Sequence, residues 1–516
     1  IYNLSGGSLN VANIYSDSGN SMLTIDGGSL LVGGGHGNIA VTTLSIGDAV
    51  GKTAAHSLSD GSLYAEDEYI GNYGNGTIDQ SAGDNTVNKR LMLGFWSGGQ
   101  GIYNLSGNGA MQSEQAFIGM NGNGSFTQSG ASRAYLKEIY LGLNSTGQGS
   151  FILSGGELMT SPEVIGYQGI GKFTQTGGSH TVGGLVTLGK SLGSKGSYSL
   201  SGGTLTTGGI VAGAGDAQFD WTGGNLQVTN NFNVASGASV FGKQLAVPQD
   251  SHFIAPNMGV TQDAVVTQGI GSTVTIAGKL SQLGSYTLAG GTTLQTSSLD
   301  NSGSLSIGGG VTDIYGDITN NVDGKISNNA LVRFNGALVN NGNVYTDKNA
   351  SSIFYGAVSG SGSFIGDGTS IFTGGLRPGN SPGLLSASGN VILGDGNQTV
   401  MELGGLKRGT EYDAFDVLPG TLALGGNLKI DWANGFTAGS GDSFDLFMAD
   451  NITGIFANTL FPSLSGINWQ LALLHDVYGS TDVYRLTAAA PVPLPASVWL
   501  MGMGLMGMVA GARRKA

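Results

Sequence analysis

The residues with the clearest potential for chemistry are few and scattered. Gly379-Asn380-Ser381-Pro382-Gly383 has the G-x-S-x-G spacing, in which a strained turn presents a serine nucleophile. That chemistry needs the backbone N–H of the residue after the serine, and Pro382 has none. A tight turn is the expected role of Ser381. Gly502-Met-Gly-Leu-Met-Gly507 fits G-x-G-x-x-G, but no strand precedes it and no βαβ unit surrounds it, so no dinucleotide is expected there. Glu66-Asp67-Glu68 is a local acidic run. Adjacent strand residues face opposite ways, so at most Glu66 and Glu68 share a face, and a solvated face is favoured over a cation site. His36, His56, His180, His252 and His475 include no pair at metal-ligand spacing. Calcium-binding Gly-Gly-x-Gly-x-Asp repeats are absent, and Gly366-Asp-Gly368 and Gly394-Asp-Gly396 read as turns. A carbohydrate-cleaving site would gather two carboxylates about 5–9.5 Å apart. Asp413 and Asp416 are neighbours in sequence, but turn or ladder roles fit them in their β-rich stretch. Two repeats placing a carboxylate pair together stays open at this level. No catalytic residue, metal or cofactor is expected.

The elements that must position these side chains are limited by composition. The chain has 516 residues and 94 glycines, about two and a half times the usual share. There are 10 prolines and no three-residue glycine period, which excludes a collagen-like helix. Hydrophobic residues at 40% suffice for a core. Charged residues are only 11%, so Ser, Thr, Asn, Gln and Gly must cover the surface in place of salt-bridged helices. A net charge of −13 without basic stripes argues against nucleic acid as a partner. Cysteine is absent, so backbone ladders and packing must hold the chain. The sequence opens at Ile1 inside a repeat, with no signal peptide visible, so a signal peptide and an N-terminal cap are expected upstream.

One pattern recurs: aromatic or apolar, x, apolar, small polar, glycine-rich turn, x, apolar. It starts at Tyr2, Leu23 and His56 and returns at Ile78, Tyr103, Phe126, Phe151, Phe173, Tyr198 and Phe219. A second beat of Ile/Leu-Gly falls between the anchors, at Gly47, Gly71, Gly94, Gly119, Gly142, Gly166 and Gly189. Two wordings alternate, with Leu153-Ser-Gly-Gly and Leu200-Ser-Gly-Gly in one, Phe126-Thr-Gln and Phe173-Thr-Gln in the other. Apolar and polar residues alternate with a strand period of two, and glycine follows each strand where the chain must turn. A unit of 20–25 residues cannot bury its apolar face alone, so units must stack. The spacing predicts an all-β parallel β-helix (solenoid), with about ten coils over residues 1–230. At about 4.8 Å per coil this is a rod of about 50 Å, with the aromatics stacked along it. A propeller is the rival, but its blades need antiparallel strands joined by hairpin turns that the units lack. A second series, Asn301, Asn321 and Asn341, predicts a continuing solenoid with shorter coils over 231–378.

The repeats together with Pro378-Gly-Asn-Ser-Pro-Gly383 resemble the autotransporter-associated β-helix passengers and related bacterial surface proteins. That resemblance implies a β-helix closed by a β-rich C-terminal cap, here expected over 379–487, which would blunt the open edge of the last coil. No membrane β-barrel pattern follows, so self-transport through an outer membrane is not supported.

Residues 488–516 have three parts. Pro491, Pro493 and Pro495 force an extended, exposed segment. Ala496 to Ala512 carry no charge and form a short single transmembrane helix, near the lower length limit for a span. Its residues include Ser497, Val498, Trp499, Leu500 and Gly502, and Gly507 and Gly511 form a small-xxx-small pair for a partner helix. Arg513, Arg514 and Lys515 fix the end on the cytoplasmic side. In this order the parts resemble the PEP-CTERM class of sorting signals in its VPLPA form, with Val492, Pro493, Leu494, Pro495 and Ala496 as the motif. The resemblance implies recognition and cleavage by an exosortase-type membrane protease in a Gram-negative host that makes exopolysaccharide. A plain C-terminal anchor is the alternative. The expected product is a non-catalytic exported protein, anchored transiently in the inner membrane and then at the cell surface or in the extracellular matrix of a biofilm. Its expected partner is exopolysaccharide or the cell envelope, contacted through polar ladders and exposed aromatics such as Trp96. A β-helix polysaccharide lyase or glycoside hydrolase and an adhesin are the other readings.

Overall fold

The alternation within each repeat becomes a strand with one face inside. In Gln100–Leu105 the residues Gly101, Tyr103 and Leu105 are buried, and Gln100, Ile102 and Asn104 face outward. The computed structural model describes residues 1–11, 13–15, 21–32, 37–235, 237, 239–379 and 382–490. They fall into two units, one over 1–336 and the other from 337 onward.

In the first unit Asn75–Gln80, Gln100–Leu105, Asn123–Gln128, Gln148–Leu153, Ile170–Gln175, Lys195–Leu200 and Asp216–Trp221 pair in parallel, residue for residue. They belong to a sheet of ten strands among the described residues. Longer strands, including Ser62–Ile70, Asp84–Leu93, Ala110–Ile118 and Arg133–Leu141, form another wall, again parallel. Parallel pairing of successive repeats is the predicted solenoid, whereas propeller blades are antiparallel. The Ile/Leu-Gly beat marks the corner between walls. Gly119 has φ +73°, and a Cβ there would lie 2.0 Å from the carbonyl oxygen of Gln148 in the next coil. Only glycine fits both the turn and that approach.

Register then dictates the core. Tyr103, Phe126, Phe151, Phe173 and Tyr198 are fully buried, with successive ring centroids 4.9, 4.8, 4.9 and 4.6 Å apart and planes within 9°. The distance matches the spacing of hydrogen-bonded strands, so the backbone ladder itself sets the stack. Each pair adds about 0.5–1.5 kcal/mol beyond burial. The two alternating wordings also have a structural meaning. Leu58, Gln80, Leu105, Gln128, Leu153, Gln175 and Leu200 form one inward column. The glutamines brace the corner by donating to carbonyls of the other wall, as in Gln128 Nε2 to Glu157 O at 2.8 Å and Gln175 Nε2 to Thr204 O at 3.0 Å.

Two details of the repeat register differ from the expectation. Tyr2 and Leu23 align with Leu44 in the longer wall, and it is Leu9 and Leu30 that stack below His56 in the anchor column. Likewise the partner of Asn301 is Asn320, not Asn321. Asn301 Nδ2 donates to Asn320 Oδ1 at 2.8 Å inside the core, while Asn321 bonds Ser302 nearer the surface. In both cases a polar or apolar word repeats in sequence one half-turn or one residue away from the position that repeats in space.

In the second unit parallel coiling continues through Thr369–Phe372, Leu384–Leu393, Ala414–Leu424 and Ser443–Gly454. Antiparallel pairing enters with Asp482–Ala489, which adds to Ser443–Gly454 and to Asn468–Leu474. This reversal covers an edge that would otherwise present unpaired backbone groups. There is no helix among the described residues, and none there is long and apolar enough to cross a membrane. The predicted transmembrane helix, Ala496 to Ala512, lies outside the described residues.

Candidate functional site

Glu68 and Glu163 hold inward positions that Leu44, Leu91, Ala116, Ile139 and Val186 occupy in the other coils. Both are fully buried. The shared solvated face expected of Glu66 and Glu68 is therefore corrected. The strand bends after Ala65, so that Glu66 and Asp67 both turn outward and Glu68 turns in. Glu66 pairs with Lys89 at 2.7 Å and Asp67 with Arg90 at 2.8 Å, each one coil on.

Each buried glutamate ends a polar network. Asn85 Nδ2 donates to Glu68 Oε2 at 3.2 Å and to the Tyr103 hydroxyl at 2.9 Å, and Tyr103 donates to Gln80 Oε1. The second set lies 95 positions later, with Glu163, Gln175, His180 and Tyr198 for Glu68, Gln80, Asn85 and Tyr103. Tyr198 donates to Gln175 Oε1 at 2.6 Å, His180 Nδ1 lies 2.9 Å from that hydroxyl, and His180 Nε2 lies 3.0 Å from Glu163 Oε2. Gln175 is oriented by its Nε2 bond to Thr204 O, so the Tyr198 proton points at Oε1. His180 Nδ1 must then donate to Tyr198, which leaves Nε2 facing the Glu163 carboxyl. Burial pushes the Glu68 carboxyl up to about 8, against the opposing bond from Asn85, and lifts Tyr103 and Tyr198 well above ordinary phenols. These groups resemble acid–base machinery in kind, but none has any exposed surface through which to meet a substrate.

The other candidates are engaged in structural roles. His56 Nδ1 lies 3.1 Å from Leu30 O, with burial lowering its basicity. His252 bonds Thr275 at 2.9 Å and His475 bonds Asp482 at 2.9 Å, while His36 lies outside the described residues. Among the described residues no three His, Cys, Asp or Glu side chains could hold a metal ion. Asp413 accepts from Gly383 N at 2.7 Å and Glu402 N at 2.8 Å, and burial pushes it up to about 7 despite those bonds. Asp416 is clamped by Arg408. Gly379 has φ +77°, and a Cβ there would meet Gly383 Cα at 2.2 Å, so the two glycines close a tight turn. Ser381 lies outside the described residues. Trp96 is 45% exposed, and its ring stacks on Tyr73 of the preceding coil at 5.9 Å, which covers one face.

The outward face of the ten-stranded sheet carries a shallow groove. Its first stretch, about 410 Å3, lies between the columns Gln100, Asn123, Gln148 and Ile102, Ser125, Ser150, Lys172. A second stretch, about 660 Å3, starts at the shared residue Ile170 and passes Lys195 to Gln218. No single residue announces this surface in the sequence. Its members are about one coil apart, and only their offset within the repeat marks them as neighbours.

Val492, Pro493, Leu494, Pro495 and Ala496, the span after them, and Arg513, Arg514 and Lys515 lie outside the described residues. Residues 491–515 match the PEP-CTERM protein-sorting motif. No curated protein matches the chain. The motif indicates an exosortase substrate, exported and anchored at the membrane before processing.

Proposed function

We propose that this chain is a non-catalytic protein of the cell surface or extracellular matrix, released from its anchor by an exosortase and retained by exopolysaccharide or the cell envelope. The match at residues 491–515 carries the reading, because it places a sorting address behind a β-solenoid. The solenoid supports it through outward columns of uncharged polar residues at a regular spacing, suited to many weak contacts with a repetitive polymer. A non-catalytic role is supported by the state of the acidic groups. Glu68 and Glu163 are enclosed in the core, and Asp413, Asp416 and Asp445 are each bound by N–H groups or arginine. Pull-down of the full chain with its host's own exopolysaccharide tests the reading. Retention above a protein of equal charge supports it, and retention at the control level contradicts it.

A further inference from the structure

The groove on the ten-stranded sheet brings two lysines without an acid partner beside a column of uncommitted amides. Four lysines of the first unit meet an acid of the neighbouring coil, Lys89 with Glu66, Lys137 with Glu114, Lys243 with Asp263 and Lys279 with Asp300, while Lys52, Lys190 and Lys325 stand singly on the surface among the described residues. Surface amides likewise bond from coil to coil, as Asn144 does to Asn121 at 2.9 Å. In the groove Lys172 and Lys195 are exposed and form no ion pair among the described residues, although Asp216 is the residue next to Lys195 across the strands. Gln100, Asn123 and Gln148 stand side by side with side-chain amides that bond nothing among the described residues. The amides run in register along the stacking direction toward Ile170 and Lys195, with Lys172 in the adjoining column.

We propose that this groove binds a linear polysaccharide bearing carboxylate groups, lying along the coils. The amides supply paired donors and acceptors for ring hydroxyls, and the two ammonium groups receive the carboxylates. A polymer is implied because the same contact recurs once per coil, at the strand spacing of about 4.8 Å. The net charge of −13 repels polyanions in general, but that field is screened beyond about 10 Å at ordinary salt, so selection occurs at contact range in the groove. Asp216 marks its far end. The inference rests on the polysaccharide reading above and adds the site and ligand class.

The test is retention of the full chain, in mild detergent, on immobilised polygalacturonate and on dextran. The expected result is salt-sensitive retention on polygalacturonate, weaker retention on dextran, and a loss of about tenfold in affinity in the double variant Lys172→Glu/Lys195→Glu. Gln100→Ala/Gln148→Ala should weaken binding with the salt dependence kept. Lys52→Glu/Lys325→Glu, equal in charge change and elsewhere on the unit, should bind as the parent does. All six positions are exposed, and unchanged melting curves verify the folds. Equal losses in both lysine pairs, no loss in the groove pair, or equal retention on dextran overturns the site or its ligand class. A chain that fails here yet is held by host exopolysaccharide leaves the broader reading standing.

Discussion

Glu163 and His180 meet at 3.0 Å inside the first unit, each with no exposed surface. A buried pair of this kind contributes little net stability compared with an apolar filling, but removing one partner leaves the other uncompensated. His180→Ala should therefore cost about 3–5 kcal/mol in urea unfolding of the first unit. His180→Asn should cost clearly less, since Asn85 holds the corresponding place beside Glu68. Equal losses from the two variants would show that the pair is inert.

Glu68 makes stability depend on pH with a definite sign. In the fold burial pushes its carboxyl up to about 8, above the ordinary 4.5 of a solvated glutamate. Below 4.5 both states are protonated and the group is neutral in its effect. Between 4.5 and 8 only the unfolded chain ionises, so stability falls by about 1.4 kcal/mol per pH unit, and above 8 the loss is complete. Glu68→Gln keeps an acceptor for Asn85 and removes the titration. The variant should match the parent near pH 4.5 and exceed it increasingly up to pH 8. A parallel pH dependence in parent and variant contradicts the buried, protonated carboxyl.

The aromatic column predicts opposite effects for two hydroxyl exchanges. Tyr198→Phe orphans Gln175 Oε1 and His180 Nδ1, at about 1–3 kcal/mol. Phe151 stacks one coil above Gln128, whose Oε1 is buried without a partner, and the small Ala134 holds the place that Asn85 and His180 take in the two networks. Phe151→Tyr should then be neutral or stabilising by up to about 1 kcal/mol. Thermal melting of both variants decides, and a large loss from Phe151→Tyr would show the site to be closed.

The corner glycines separate backbone strain from close approach. Gly51 and Gly119 share φ near +72°, but only Gly119 faces backbone within 4 Å. Gly51→Ala should cost about 1 kcal/mol, the ordinary left-handed penalty. Gly119→Ala should cost severalfold more and disturb the pairing of Asn123–Gln128 with Gln148–Leu153, read by amide hydrogen exchange.

The solenoid was legible because its cause is local and repeated. The aromatic anchors, the Ile/Leu-Gly corners and the alternation of Leu with Gln each recur at one coil. What escaped was set by register or by bends. Glu68 turns inward because the period of two breaks after Ala65, and Asn301 aligns with Asn320 because one coil is a residue shorter than its wording. The networks of Glu68 and Glu163 were in principle visible, since each tyrosine hydroxyl has its partners 18 and 23 residues back, Asn85 and Gln80 in one set and His180 and Gln175 in the other. Lys172 and Lys195 gain meaning only from the amide column they stand beside, which a single sequence does not display.

The sorting address at residues 491–515 is tested most directly by mass spectrometry of the C-terminus of the protein recovered outside its host's cells. The account predicts a terminal peptide ending in or near Val492–Ala496, with Arg513, Arg514 and Lys515 gone. Released protein that still ends in Lys515-Ala516 would contradict it.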